Sequence, residues 1–354
     1  MRTVPVLLRA IGIPMLAGCV IFPVATGALA QEAKQQKRVA VKPTEADRAA
    51  AQEADVVFLK AWSGTRPKAL AESKLSVRGT SQQEAASSED SQGSDDNSVR
   101  FPGDLEFHKG KVVEFAESHD IYMLPNGTCP ISTCWGDPES FLRDLGQSEF
   151  IHIADQYVGQ QSSNRYTLGD SATVSFTPSV TPFTDKDMRA VVHAVANATG
   201  ETGYGHIYHV FLPAGQDECF DATFQVCASN VFCAYHSSVT FKDIGHVLYS
   251  VEPFTDVPGC QVRPGTPNGT LIDSTNNVLS HELVETITDP DGRGWWNSVA
   301  GGLFGEEIGD ECVFVLFDSH GNGFFDPAII SVHGRKYALQ PEYNNRKHGC
   351  TADN

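Results

Sequence analysis

The chain has 354 residues, of which 41% are hydrophobic and 20% charged. That is enough apolar material for a sizeable core, and it excludes a wholly disordered chain. Lys and Arg number 26 against 44 Asp and Glu, a net charge of −18, and the excess falls in residues 101–354, with 13 basic and 33 acidic side chains. A body this acidic repels phosphate backbones and anionic lipid. Nucleic acid is therefore excluded as a partner, and the charge suits an exported protein or one that collects cations.

The first thirty residues read as an export signal. Arg2 and Arg9 precede an apolar run from Ala10 to Leu29, which ends Ala28-Leu29-Ala30 with small residues where a signal peptidase cuts. A retained anchor is the rival reading, weakened by Gly12, Pro14, Gly18, Pro23 and Gly27. A lipoprotein signal at Leu16-Ala17-Gly18-Cys19 is another. Cleavage leaves a secreted chain with no membrane contact and eight cysteines, and an even number in an exported chain predicts four disulfides. Short loop closure favours 129–134, 219–227, 233–260 and 312–350. A cysteine-rich zinc site is disfavoured because no CxxC pair occurs.

Residues 31–100 read as a polar tether, with the stretch Ser81–Asn97 nearly devoid of apolar side chains. A helix is expected somewhere in Thr44–Trp62, and the folded body from about Phe101. Six short β-branched or aromatic runs predict strands there: Ile121–Leu124, Phe150–Val158, Thr173–Thr177, Ile207–Leu212, Phe232–His236 and Val247–Val251. Asp137–Leu145, with Pro138 at the first helical position, and Thr184–Asn197 predict helices. Cys312–Leu316, Ile329–Val332 and Tyr337–Leu339 read as further strands. The expected class is α+β, a single disulfide-bonded domain with a mixed sheet and a metal-bearing helix.

That helix is predicted over Ser274–Thr288, stopped by Asp289-Pro290. Leu279, Leu283 and Ile287 share one face, while His281 and Glu285 share the opposite one with Glu282 beside them. This is the HExxH metalloprotease layout with Glu in place of the second His. Side chains at i and i+4 can grip one ion, and the intervening Glu282 can take a proton from an attacking water. A third ligand must come from elsewhere. Glu306, Glu307 and Asp310 follow 21 to 25 residues after Glu285, and His236 is a further candidate. Zinc is the expected ion, with calcium or manganese competitive because two carboxylates ligate. A carboxylate ligand also neutralises the ion and acidifies bound water less, so a structural ion is a second reading. Trp295 and Trp296 either line a substrate groove or pack beneath the helix.

Taken together, CAYHS (233–237), HELVETITDP (281–290), GWW (294–296), GEEIGDEC (305–312) and YALQPEYNN…GC (337–350) resemble a family of bacterial secreted proteins. That family carries HExxExxTDP, a Trp-aromatic pair, GEIGDxC and a terminal Gln-aromatic-Asn-Cys segment. It is in turn similar to plant EXORDIUM, the phosphate-induced protein family. The resemblance spans about Leu105–Cys350 and marks His281, Glu282, Glu285, Asp289, Trp295, Glu307 and Asp310. The plant proteins are extracellular and linked to growth control, and they lack the HExxE residues kept here.

Two functions follow as expectations. The first is a secreted metal-dependent hydrolase of metallopeptidase type acting on a peptide or cell-wall-associated substrate. In it Glu282 is the base, His281, Glu285 and one of Glu307, Asp310 or Glu306 hold the ion, and Trp295 and His236 bound the substrate. The second is a non-enzymatic EXORDIUM-like binding or signalling protein with a structural ion or none.

Overall fold

The structure is a computed structural model. It describes residues 36–62, 104–124, 130–159, 164–177, 181–297, 307–316 and 324–354. The export signal, the Ser81–Asn97 stretch, Cys129 and Glu306 lie outside the described residues.

Eight strands form the main sheet: β1 (Arg38–Val41), β2 (Asp55–Trp62), β3 (Ala116–Met123), β4 (Tyr166–Leu168), β5 (Ser171–Val174), β6 (His206–Phe211), β7 (Ala234–Phe241) and β8 (Gly245–Glu252). Their order is β1-β5-β3-β6-β8-β7-β2, with β4 paired to the start of β3. The first five in that order run parallel. The last two are antiparallel additions, which makes the sheet mixed, as expected.

Alternation along the strands sends successive side chains into two cores. On one face Tyr122, Ile207, Phe211 and Leu248 meet Leu279, Leu283 and Ile287 of helix α4 (Thr270–Thr288). On the other, Ile121, Met123, Tyr208, Val210, Tyr249 and Val251 meet Met188, Val191, Val192 and Val195 of helix α3 (Asp185–Thr199). Helices therefore cover both faces. At the start of α3, the Asp187 carboxylate accepts from the Thr184 backbone N–H (3.0 Å) and hydroxyl (2.9 Å). The predicted helix at 137–145 forms as α2 (Pro138–Leu145), with the Asp137 side chain accepting from Ser140 N at 3.1 Å.

Four expectations are corrected. Residues 36–62 are not tether: β1 pairs with β5 and β2 with β7, so the fold begins well before Phe101. The helix expected within Thr44–Trp62 covers only α1 (Glu45–Glu53), and Asp55–Trp62, with its apolar Val56-Val57-Phe58-Leu59 run, becomes β2. Phe150–Val158 is helical, a 3-10 turn Ile151–Ala154 followed by an α-turn Asp155–Val158. Cys312–Leu316 also lies in a 3-10 segment, Asp310–Leu316, rather than a strand. The late strands appear as the hairpin Ala328–Val332 and Arg335–Leu339, followed by Glu342–Asn344 paired with Gly349–Thr351.

Three disulfides match the expected pairs: Cys219–Cys227, Cys233–Cys260 and Cys312–Cys350. The pairing expected for Cys129 falls outside the described residues. Among the described residues no helix is long and apolar enough to cross a membrane.

Candidate metal centre

Helix α4 is buried on every side: each residue from Asp273 to Thr288 is shielded from solvent. Its polar face is covered by the sheet, by residues 307–310 and by the segment after Leu339. From β7, His236 projects onto that face, since Tyr235 and Val239 belong to the other core. His236, His281, Glu282 and Glu307 are 0% exposed, Glu285 1% and Asp310 6%. Such groups are costly to bury unless they are paired or bind a cation.

Glu285 stands at the middle. Its Oε1 lies 3.2 Å from His281 Nε2 and accepts from Asp310 N at 3.0 Å, while its Oε2 lies 3.5 Å from His236 Nδ1. His281 Nε2 is 4.0 Å from Asp310 Oδ1. His236 Nδ1 is 3.3 Å from Glu282 Oε2, and its Nε2 is 3.7 Å from Glu307 Oε1. Two groups thus converge with ligand atoms mutually within 4.8 Å: His281, Glu285 and Asp310, and His236, Glu285 and Glu307. Zinc bonds of about 2.0–2.1 Å place tetrahedral donors about 3.3 Å apart, so these separations are close to a coordination shell.

Neighbours hold this arrangement. Gln340 Nε2 lies 3.1 Å from His281 Nδ1 and donates to the Gly309 carbonyl at 2.5 Å, which fixes the ring. A Cβ at Gly309 would run into the same ring. Lys60, from β2, places its ammonium 2.9 Å from Asp310 Oδ2. Glu342 is fully buried, and both of its carboxylate oxygens lack a hydrogen-bond partner among the described residues.

Burial resists ionisation of every acid here, and nearby charges decide the outcome. Desolvation lifts the Glu282 carboxyl to about 7, although His236 and His281 pull it down. Burial would raise Glu285 too, but His281 and His236 hold it far below the usual carboxylate range. Burial pushes Glu307 and Glu342 well up, and raises Asp310 against the pull of Lys60. For His281 and His236 burial favours the neutral ring. The carboxylates outweigh it, taking His281 to about 10 and His236 well above its ordinary value.

All five expected metal-site and catalytic residues, His281, Glu282, Glu285, Glu307 and Asp310, meet in this one cluster, and His236 stands among the donors. Trp295 stands elsewhere. Its ring packs against Phe107 and Tyr157, with Nε1 donating to the Tyr157 carbonyl at 2.7 Å. Trp296 stacks on His108. Sequence reasoning missed Lys60, which lay in the supposed tether. It also assigned no role to Gln340, Glu342 or Gly309, although all three sit inside the quoted motifs. No protein-family model, curated protein or solved structure matches the chain.

Proposed function

We propose that this chain is an exported metal-dependent hydrolase of metallopeptidase type, with a divalent ion on His281, Glu285 and Asp310 or Glu307. The observation that carries the reading is the convergence of two imidazoles, His236 and His281, and two carboxylates, Glu307 and Asp310, on Glu285, all buried, with Glu282 one residue from His281. Zinc suits the mixed nitrogen and oxygen donors, and manganese or calcium the carboxylate share. Bound there, the ion supplies Lewis acidity. Glu282 then accepts the proton of an attacking water, and the Gln340 amide keeps the His281 ring in plane. The resemblance to the bacterial HExxExxTDP family supports the same reading, and three disulfides suit an oxidising compartment. Substrate is then a peptide or a cell-wall-associated molecule.

The test is a broad peptidase screen with and without chelator on wild type and Glu282→Gln. The variant is expected to keep its metal and lose about 10²- to 10⁴-fold in activity. Undiminished turnover in Glu282→Gln would remove Glu282 from the chemistry. A second reading, an EXORDIUM-like extracellular protein with a structural ion, is favoured by the near-complete burial of every donor. It expects stoichiometric metal and a large fall in melting temperature on chelation, without turnover.

A further inference from the structure

The two oxygens of Glu285 face different partners, Oε1 toward His281 and Asp310 N, and Oε2 toward His236. From this division we infer that the centre holds two divalent ions bridged by Glu285, one completed by His281 and Asp310 and the other by His236 and Glu307. The proposal deepens the ion-centre reading above and rests on it.

Hydrogen bonding alone does not close the second group. Among the described residues, His236 Nε2 has no hydrogen-bond partner, and neither oxygen of Glu307 has one. Their 3.7 Å separation is too long for an N–H···O bond but within reach of two ligands of one ion, and one ligand atom from each of His236, Glu285 and Glu307 lies within 4.8 Å of the others. All three side chains of this group are 0–1% exposed, so bulk solvent does not take the place of a partner.

Charge points the same way. Glu282, Glu285, Glu307 and Asp310 carry −4 when ionised, and Lys60 returns +1, leaving −3. Ionised Glu342, whose charge acts on His281 and Glu285, makes the total −4, so with neutral imidazoles one divalent ion leaves −2 in a desolvated interior and two leave none. Paired ions bridged by a carboxylate stand about 3.5–4 Å apart and clamp the attacking and leaving oxygens of a hydrolytic displacement. His236 is thereby a ligand rather than a substrate contact.

Manganese is the probe. Full-length protein, stripped by chelator and titrated with Mn²⁺, is expected to take two equivalents and to give an exchange-coupled electron paramagnetic resonance spectrum at saturation. His236→Ala is expected to take one equivalent and give the uncoupled single-ion signal. The wild-type spectrum carries the test even if that variant does not fold. A single equivalent with an uncoupled signal in wild type overturns the paired centre and leaves the one-ion hydrolase standing. No binding of Mn²⁺, Zn²⁺ or Ca²⁺ overturns both.

Discussion

Glu285 owes its charge to where it sits: an isolated carboxyl this deeply buried would be protonated, and two imidazoles keep it ionised. The positions that hold those imidazoles are therefore as sensitive as the ligands. Gly309→Ala puts a methyl group into the His281 ring, and roughly tenfold weaker metal affinity is expected by calorimetric titration. Unchanged affinity would show that the ring does not ligate.

A different buried imidazole gives a pH signature. His209 sits between Ser250 Oγ (2.8 Å) and Ser118 Oγ (3.2 Å), and burial, aided by His119, lowers its pKa to about 3. The unfolded ring protonates near 6.5, so between about 3 and 6.5 the unfolded state binds the extra proton. The sign follows: stability contributed by His209 is present above 6.5 and is lost on acidification, at about 1.4 kcal/mol per pH unit. Urea unfolding at pH 6.5 and 5 should show a smaller loss in His209→Gln than in wild type. Identical losses would contradict the assignment. At this scale the HExxE residues were legible because helical spacing puts them together, whereas Lys60 and Glu342 reach the cluster only through tertiary folding.

Among the elements, α4 was legible to within four residues at its start and to the residue at its end, because its apolar period and the Asp289-Pro290 stop agree. Its complete burial was not, since periodicity shows which side chains share a face but not what covers the second face. Phe150–Val158 was misread for its β-branched content. Its buried apolar residues Phe150, Ile151, Ile153, Ala154, Tyr157 and Val158 in fact follow the helical period. Cys312–Leu316 was misread for the same reason. There, turns from Glu307 O to Glu311 N (3.1 Å) and from Gly309 O to Cys312 N (2.9 Å) coil the chain around the cluster. The Cys312–Cys350 disulfide ties that coil to the C-terminal strand. Replacing both cysteines with serine is expected to cost about 2–5 kcal/mol in chemical denaturation. It should also weaken metal binding by loosening Asp310. Full affinity in the double variant would show that the coil holds Asp310 unaided.

Over the whole molecule, the α+β class and the three disulfides among the described residues were legible from run lengths and cysteine spacing. The reach of the fold was not. Residues 36–62 are about half apolar and supply both edge strands, β1 and β2, but they were grouped with the polar stretch Ser81–Asn97 that follows them and so read as tether. The sheet arranged in this way sets β7, β2 and α4 around one desolvated cluster whose acids outnumber its bases, and the proposed ion centre predicts a fold that loosens when its cation is removed. Elemental analysis of natively purified protein, paired with melting curves in chelator, tests this most directly. The expected result is at least one equivalent of divalent metal per chain, zinc foremost, and a lower melting temperature once it is removed. Protein that carries no stoichiometric metal, and whose melting is unmoved by chelator or by added Zn²⁺, Mn²⁺ or Ca²⁺, would contradict the account.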